Sequence, residues 1–353
     1  MLLTKKVLFF LFMTISLSLK ANFLSEQFFS FYLNSSVSRF FTNANKSKYI
    51  ENFCNKVCSI YERFSWGYCP CAQIPWSIYS LSKGGEPLIF YVYDGRSLAM
   101  TASHLSCRLE DESTSLILGG VHPDELNPIY VSFKFAHILY TNPNLYQGLR
   151  VIVAPLVNPD GFMRSPPTRT NLNGIDLNRN FPTQDWVKAA IRNWEQGFRN
   201  KRRFPGKQSN SEAETKFQIM LINNFHPNKI ISIHAPLDFL DLDFSSGFFY
   251  PGDVQVQKYL KVGYLTSMIS KTSGFHKVRN FRVYSGSLGK YAGKERSIPT
   301  YTLELSSSDP KRAEQFWKDF SPGIFSAIRY KIKNFHDKKN TWKSNIQSLN
   351  YFK

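Results

Sequence analysis

His122 and Glu125 stand three residues apart in the run Gly119 to Glu125, GGVHPDE, directly after the apolar stretch Leu116 to Leu118. On a turn leaving a strand, an imidazole and a carboxylate at that spacing can reach one metal ion, and zinc is the natural occupant. A catalytic zinc needs a third protein ligand and one position open to water. His234 can supply the ligand, because it follows Ile231, Ser232 and Ile233 at the end of an apolar strand, where a side chain can point into a cleft. Two His and one Glu make a catalytic zinc set.

Three ligands spread over more than a hundred positions need elements that converge. From Gln73 onward, short apolar strands alternate with helical periods. Residues 74–81 and 86–94 read as paired strands joined across Lys83, Gly84 and Gly85. Residues 116–119 read as a buried strand, 129–140 as a helix and 149–156 as a strand. Ser211 with Glu214 has the form of a capping box opening a helix to about Asn224. Residues 229–233 then form a strand that ends on His234, 254–270 a helix, and 300–305 a strand that carries Glu304. The expected fold class is α/β, a mixed central sheet flanked by helices, with a small Cys-rich extension at the amino end. In such folds ligands gather beyond strand ends, where His122, His234 and Glu304 all fall.

Between the metal pair and His234 lies NPDGFMRSPPTRTNLNGIDLNRNFP, residues 158–182. Together with FPGKQSNSEAET (204–215), HAPLDFLD (234–241) and TYTLEL (300–305), it resembles the zinc metallocarboxypeptidase family, and within it the branch acting on peptidoglycan peptides. The resemblance covers residues 74–308 and implies one zinc ion held by His122, Glu125 and His234. It implies that Arg169 polarises the scissile carbonyl, that Asn178 and Arg179 clamp a substrate carboxylate, and that Glu304 is the general base. It also implies a γ-D-glutamyl to diaminopimelate bond as substrate, with Asp238, Asp241 and Asp243 as candidates for the distal amine and Ser285 and Ser287 for the distal carboxylate. Digestive members carry a mobile tyrosine upstream of a Gly-Ser segment. Tyr284 sits too close to Gly286 and Ser287 to match it in register, which leaves its role open, an ordinary strand aromatic being the plainer reading. Two other readings are a general carboxypeptidase for ordinary peptides and a non-catalytic peptidoglycan-binding relative.

Length, 353 residues, allows one large domain with an appendage or two small domains. Lys5 and Lys6 followed by the apolar run Val7 to Leu19 have the layout of a secretory signal, and the run is shorter than the roughly 20 residues of a membrane span. The expected organisation is a signal at 1–21, an extension at 22–72, a catalytic domain at 73–335 and a basic tail at 336–353. Cys54, Cys58, Cys69 and Cys71 fit two disulfides better than a zinc knuckle, and Cys107 is left over. An exported, periplasmic protein is expected, with no stable membrane insertion after signal removal. The net charge of +18 points to an acidic partner. Export disfavours nucleic acid and leaves an anionic membrane or the carboxylate-rich wall. Arg199, Lys201, Arg202 and Arg203, beside Trp194 and Phe198, would attract an anionic wall peptide to the cleft rim.

Overall fold

The computed structural model describes residues 43–96, 113–245, 254–274, 278–279 and 281–332. The signal, Cys107 and the basic tail lie outside the described residues. Among them, eight strands form one mixed sheet in the order β1-β2-β4-β3-β5-β8-β6-β7. These are β1 Ser77–Leu81, β2 Pro87–Asp94, β3 Ser113–Leu118, β4 Leu149–Ala154, β5 Lys229–His234, β6 Phe239–Asp243, β7 Val278–Arg279 and β8 Thr300–Glu304. The block β4, β3, β5, β8 is parallel, whereas β2 joins β4 and β6 joins β8 in antiparallel fashion. Every residue of β3 and β5 is buried, as expected for parallel strands covered on both faces.

Helices α1 Asn43–Arg63, α2 Leu126–Thr141, α3 Trp186–Gln196, α4 Ala213–Phe225, α5 Val254–Thr272 and α6 Ala313–Arg329 supply the covering. Strand β2 shows how. Its Tyr93 hydroxyl donates to Ala136 O of α2, while Phe90, an odd number of positions away, lies against Phe217 and Phe225 of α4. Side chains alternate along a strand, so α2 and α4 occupy opposite faces.

The chain falls into two compact units, residues 1–51 and 52–353. Within the second, Cys54 pairs with Cys71 and Cys58 with Cys69. The stapled segment buries Tyr61 against Trp66 and Phe133, and Trp66 Nε1 donates to Pro310 O. The helix expected after Ser211 is present, but the capping box is not. Glu212 is the N-cap residue and makes no side-chain cap bond. Asn180 claims Ser211 instead: its Oδ1 accepts from Ser211 N and its Nδ2 donates to Ser211 Oγ. Ser211 Oγ in turn donates to Glu212.

At the start of β5, Lys229 is fully buried, with Nζ donating to Ser113 Oγ and Tyr330 O. Burial pushes its ammonium down to about 7. Between there and about 10.4, the ordinary lysine value, the unfolded chain binds a proton that the folded chain does not. Stability therefore rises with pH across this window. In thermal melts the difference in Tm between the parent protein and Lys229→Met should move in favour of the parent from pH 7 to pH 9. A difference independent of pH would show that Lys229 keeps its charge in the fold.

Candidate metal centre

Two glycines carry the chain from β3 into the metal loop. A Cβ on Gly119 would lie 2.1 Å from Ser132 Oγ of α2, and Gly120 adopts φ +59°, so neither position suits another residue. The turn closes with Glu125 N donating to His122 O and delivers both side chains above the carboxyl end of the sheet. Strand β5 delivers His234 to the same edge. Its register places His234 opposite Glu304 of β8, one strand over.

The ligand-type atoms of His122, Glu125 and His234 all lie within 4.8 Å of one another, and all three residues are buried. His122 Nδ1 is 3.1 Å from Glu125 Oε1 and 3.1 Å from His234 Nδ1, and His234 Nδ1 is 2.9 Å from Glu125 Oε2. Both imidazoles thus turn Nδ1 toward the carboxylate, with Nε2 held from behind: His122 by Asp176 Oδ1 at 2.9 Å, His234 by Ser232 Oγ at 2.9 Å. Outer partners of this kind fix the ring orientation and tautomer of metal-binding histidines. Two nitrogens and a carboxylate converging from a buried shell fit a zinc ion in donor type and number.

The electrostatics also favour a cation. Burial and Arg169 oppose charge on His122, yet Glu125 and Asp176 outweigh them and raise it. Burial pushes the Glu125 carboxyl up, but the two histidines hold it below its ordinary value. Arg169 bridges the acids, Nη1 donating to Glu125 Oε1 at 3.0 Å and Nε to Asp176 Oδ2 at 3.1 Å. Glu304 stands beside this group. Burial pushes it up to about 7, His234 opposes the shift and Glu125 adds to it. Its Oε2 is buried with no hydrogen-bond partner among the described residues, an acceptor awaiting a donor.

The sequence profile of the zinc carboxypeptidases matches residues 93–321, which span the metal loop, both later strands and every candidate above. The chain belongs to the zinc carboxypeptidase family. Its sequence is 36% identical over 162 residues to murein peptide amidase A of Escherichia coli K12, covering 45% of this chain and 58% of that protein. It is 28% identical over 172 residues to murein peptide amidase A of Vibrio campbellii, covering 46% and 58%. The match thus spans little more than half the length of these relatives. In fold, carboxypeptidase A from Helicoverpa armigera superposes with a TM-score of 0.53 at 17% identity, covering 72% of this chain and 68% of that one. Bovine thrombin-activatable fibrinolysis inhibitor does so with 0.52 at 15%, covering 78% and 95%.

In this member of the family, Asn178 and Arg179 sit on a single 3-10 turn, Leu177–Arg179, whose N-cap Asp176 accepts from Asn178 N. One residue therefore orients His122, holds Arg169 and caps the turn bearing the Asn-Arg pair. Asp176 lies in the GIDLNRNFP run, but its residue type alone assigns it no partner. Asn178 Oδ1 accepts from Leu288 N, so its amide nitrogen is the group left to donate. Gly286 packs so closely that a Cβ would lie 2.0 Å from Arg179 O. Tyr284 is not a strand aromatic: it lies outside the strands, with Arg179 Cζ 4.2 Å from its ring centroid.

Of the candidates for a distal amine, Asp238 is exposed, Asp241 Oδ1 accepts from Phe281 N, and Asp243 is buried beside Gly289 and Gly293 with its Oδ1 unpartnered among the described residues. Ser285 Oγ donates to Asp185, and Ser287 Oγ accepts from Lys290 N. On the basic rim, Arg199 pairs with Glu195 and Arg202 with Asp124, the neighbour of Glu125. Among the described residues no helix is long and apolar enough to cross a membrane.

Asp176→Ala should weaken zinc affinity by about 10- to 100-fold, the usual effect of losing an outer partner of a metal ligand. Competition with a chromogenic chelator measures it, and unchanged affinity would deny Asp176 this part.

Proposed function

We propose that this protein hydrolyses an amide bond in peptidoglycan peptides, the γ-D-glutamyl to diaminopimelate bond, with one zinc ion held by His122, Glu125 and His234. The observation that carries the proposal is the meeting of three ligand atoms from two separate strand ends beside the unpartnered Glu304 oxygen. The similarity to murein peptide amidase A supports the choice of substrate.

Zinc in this cradle would supply Lewis acidity and bring the pKa of water from about 15.7 towards 7. Glu304 takes the proton of the attacking water and returns it to the leaving nitrogen. Its raised pKa keeps it basic enough to accept and acidic enough to give the proton back. Arg169, fixed by two acids, stabilises negative charge that develops on the carbonyl oxygen only in the transition state. Asn178 Nδ2 and the Arg179 guanidinium hold a carboxylate of the leaving residue, a planar anion that a guanidinium suits. We place the catalytic domain at residues 73–335, behind a signal at 1–21, in an oxidising compartment, the periplasm. The two disulfides support that placement.

The test is to incubate the zinc-loaded mature protein with purified murein and with free murein tripeptide, and to identify products by mass. Release of diaminopimelate, stopped by a chelator, is the expected result. Trimming of ordinary L-peptides in its place would assign a general carboxypeptidase, and chelator-insensitive binding without product would assign a binding module.

A further inference from the structure

Beside Arg179, on the side formed by α3, the loop after it and residues 282–285, lies a cavity of about 200 Å³. Its lining includes Arg179, Arg203, Arg282, Trp194, Tyr284 and Ser285, and contains no acidic side chain. Three guanidinium groups thus face one small space. Among the described residues no carboxylate pairs with any of the three. Arg179 spends one donor on Asn178 O, and Arg179 and Arg282 lie 4.2 and 5.5 Å from the Tyr284 ring centroid. An aromatic face offsets only part of such a charge. Asp185, which accepts from the lining residue Ser285, also accepts from Lys290. Burial, together with the charges of Arg169 and Arg203, pushes the Arg179 guanidinium down, against the opposing charge of Asp176.

A cluster of this kind is relieved by an anion. One carboxylate satisfies Arg179, as proposed above, and leaves Arg203 and Arg282 without a countercharge. A 200 Å³ space is too small for a polymer strand, yet it accepts a short acidic side chain. Resting on the proposed function, we infer that this cavity binds a second carboxylate on the residue released by cleavage, with Arg203 and Arg282 as its clamp. The preferred substrate then carries two carboxylates on its leaving side, and Arg203 and Arg282, rather than Ser285 or Ser287, select for the second.

Binding of meso-diaminopimelate and of L-lysine to the zinc-loaded full chain, measured by calorimetry, tests this directly, because lysine has the same amine-bearing length and lacks the second carboxylate. Diaminopimelate should bind at least about tenfold tighter, the scale of one charge-assisted hydrogen-bonded pair. In Arg203→Ala/Arg282→Ala that ratio should fall to about one. Should this variant fail to fold, Arg203→Gln/Arg282→Gln gives the same readout. Equal affinities in the parent protein, or a preference that survives the double substitution, overturn the inference. Turnover of γ-D-glutamyl peptides ending in the same two residues, read on the same preparation, separates the two claims. Selective binding without turnover of either peptide contradicts the proposed reaction and leaves the cavity's role standing. Turnover of both with equal kcat/KM and no binding preference overturns the cavity's role alone.

Discussion

Replacing Glu304 by Gln should lower kcat by about 10²- to 10⁴-fold, the usual contribution of a positioned general base, while zinc content stays at that of the parent protein. The separation follows from geometry. Glu304 is level with His234 on the neighbouring strand but is not one of the three residues whose ligand atoms converge. Gln keeps the shape and a carbonyl acceptor and loses only the capacity to take a proton. The pH profile gives a second readout. The base acts in its ionised form, so activity rises as pH rises through its pKa. Burial and the Glu125 charge push that value up to about 7 against the opposing charge of His234. A zinc cation alongside favours the carboxylate and draws the limb to lower pH. In Glu304→Gln the acidic limb should vanish along with the rate. A variant that keeps the limb and most of its kcat would move the proton transfer to another group.

The second large effect is expected at His234. Its Nδ1 lies within 3.1 Å of both other ligand residues, and Ser232 holds the ring from behind. His234→Ala removes one of three protein donors and leaves Glu125 and His122 as a bidentate remnant. With about 10–16 kcal/mol for a four-ligand zinc site shared among its ligands, zinc affinity should fall by about 10²- to 10³-fold. Activity at micromolar zinc should fall in proportion, with partial recovery when zinc is added in excess. Loss of activity with undiminished zinc binding would remove His234 from the ligand set. The contrast with Glu304→Gln, which spares the metal, distinguishes a ligand from a base.

Much of this site is legible along the chain because the chemistry sits where elements end. Parallel strands buried on both faces are largely apolar, so Leu116 to Leu118 and Ile231 to Ile233 announce themselves. The first polar residues past them, His122 and His234, must then face the cleft. The pairing of residues 74–81 with 86–94 reads equally well, because a glycine-bearing connection and alternating aromatics fix both ends. What cannot be read locally is partnership across long separations. Asp176 meets His122 from 54 positions away, and Asn180 reaches 31 positions forward to Ser211 and so displaces the expected capping box. The arginine-lined cavity draws on positions 179, 203 and 282, which share no periodicity. Disulfide connectivity is of the same kind: four clustered cysteines allow three pairings, and the buried face of α1 against the 69–71 turn decides among them.

The most direct measurement is an anomalous difference map collected at the zinc edge from crystals of the zinc-loaded protein. One peak is expected, at about 2.0–2.2 Å from His122 Nδ1, His234 Nδ1 and a Glu125 oxygen, with the Glu304 carboxylate facing the open position. Zinc bound elsewhere while these three side chains hold no ion, or Glu304 turned away from that position, would contradict the account.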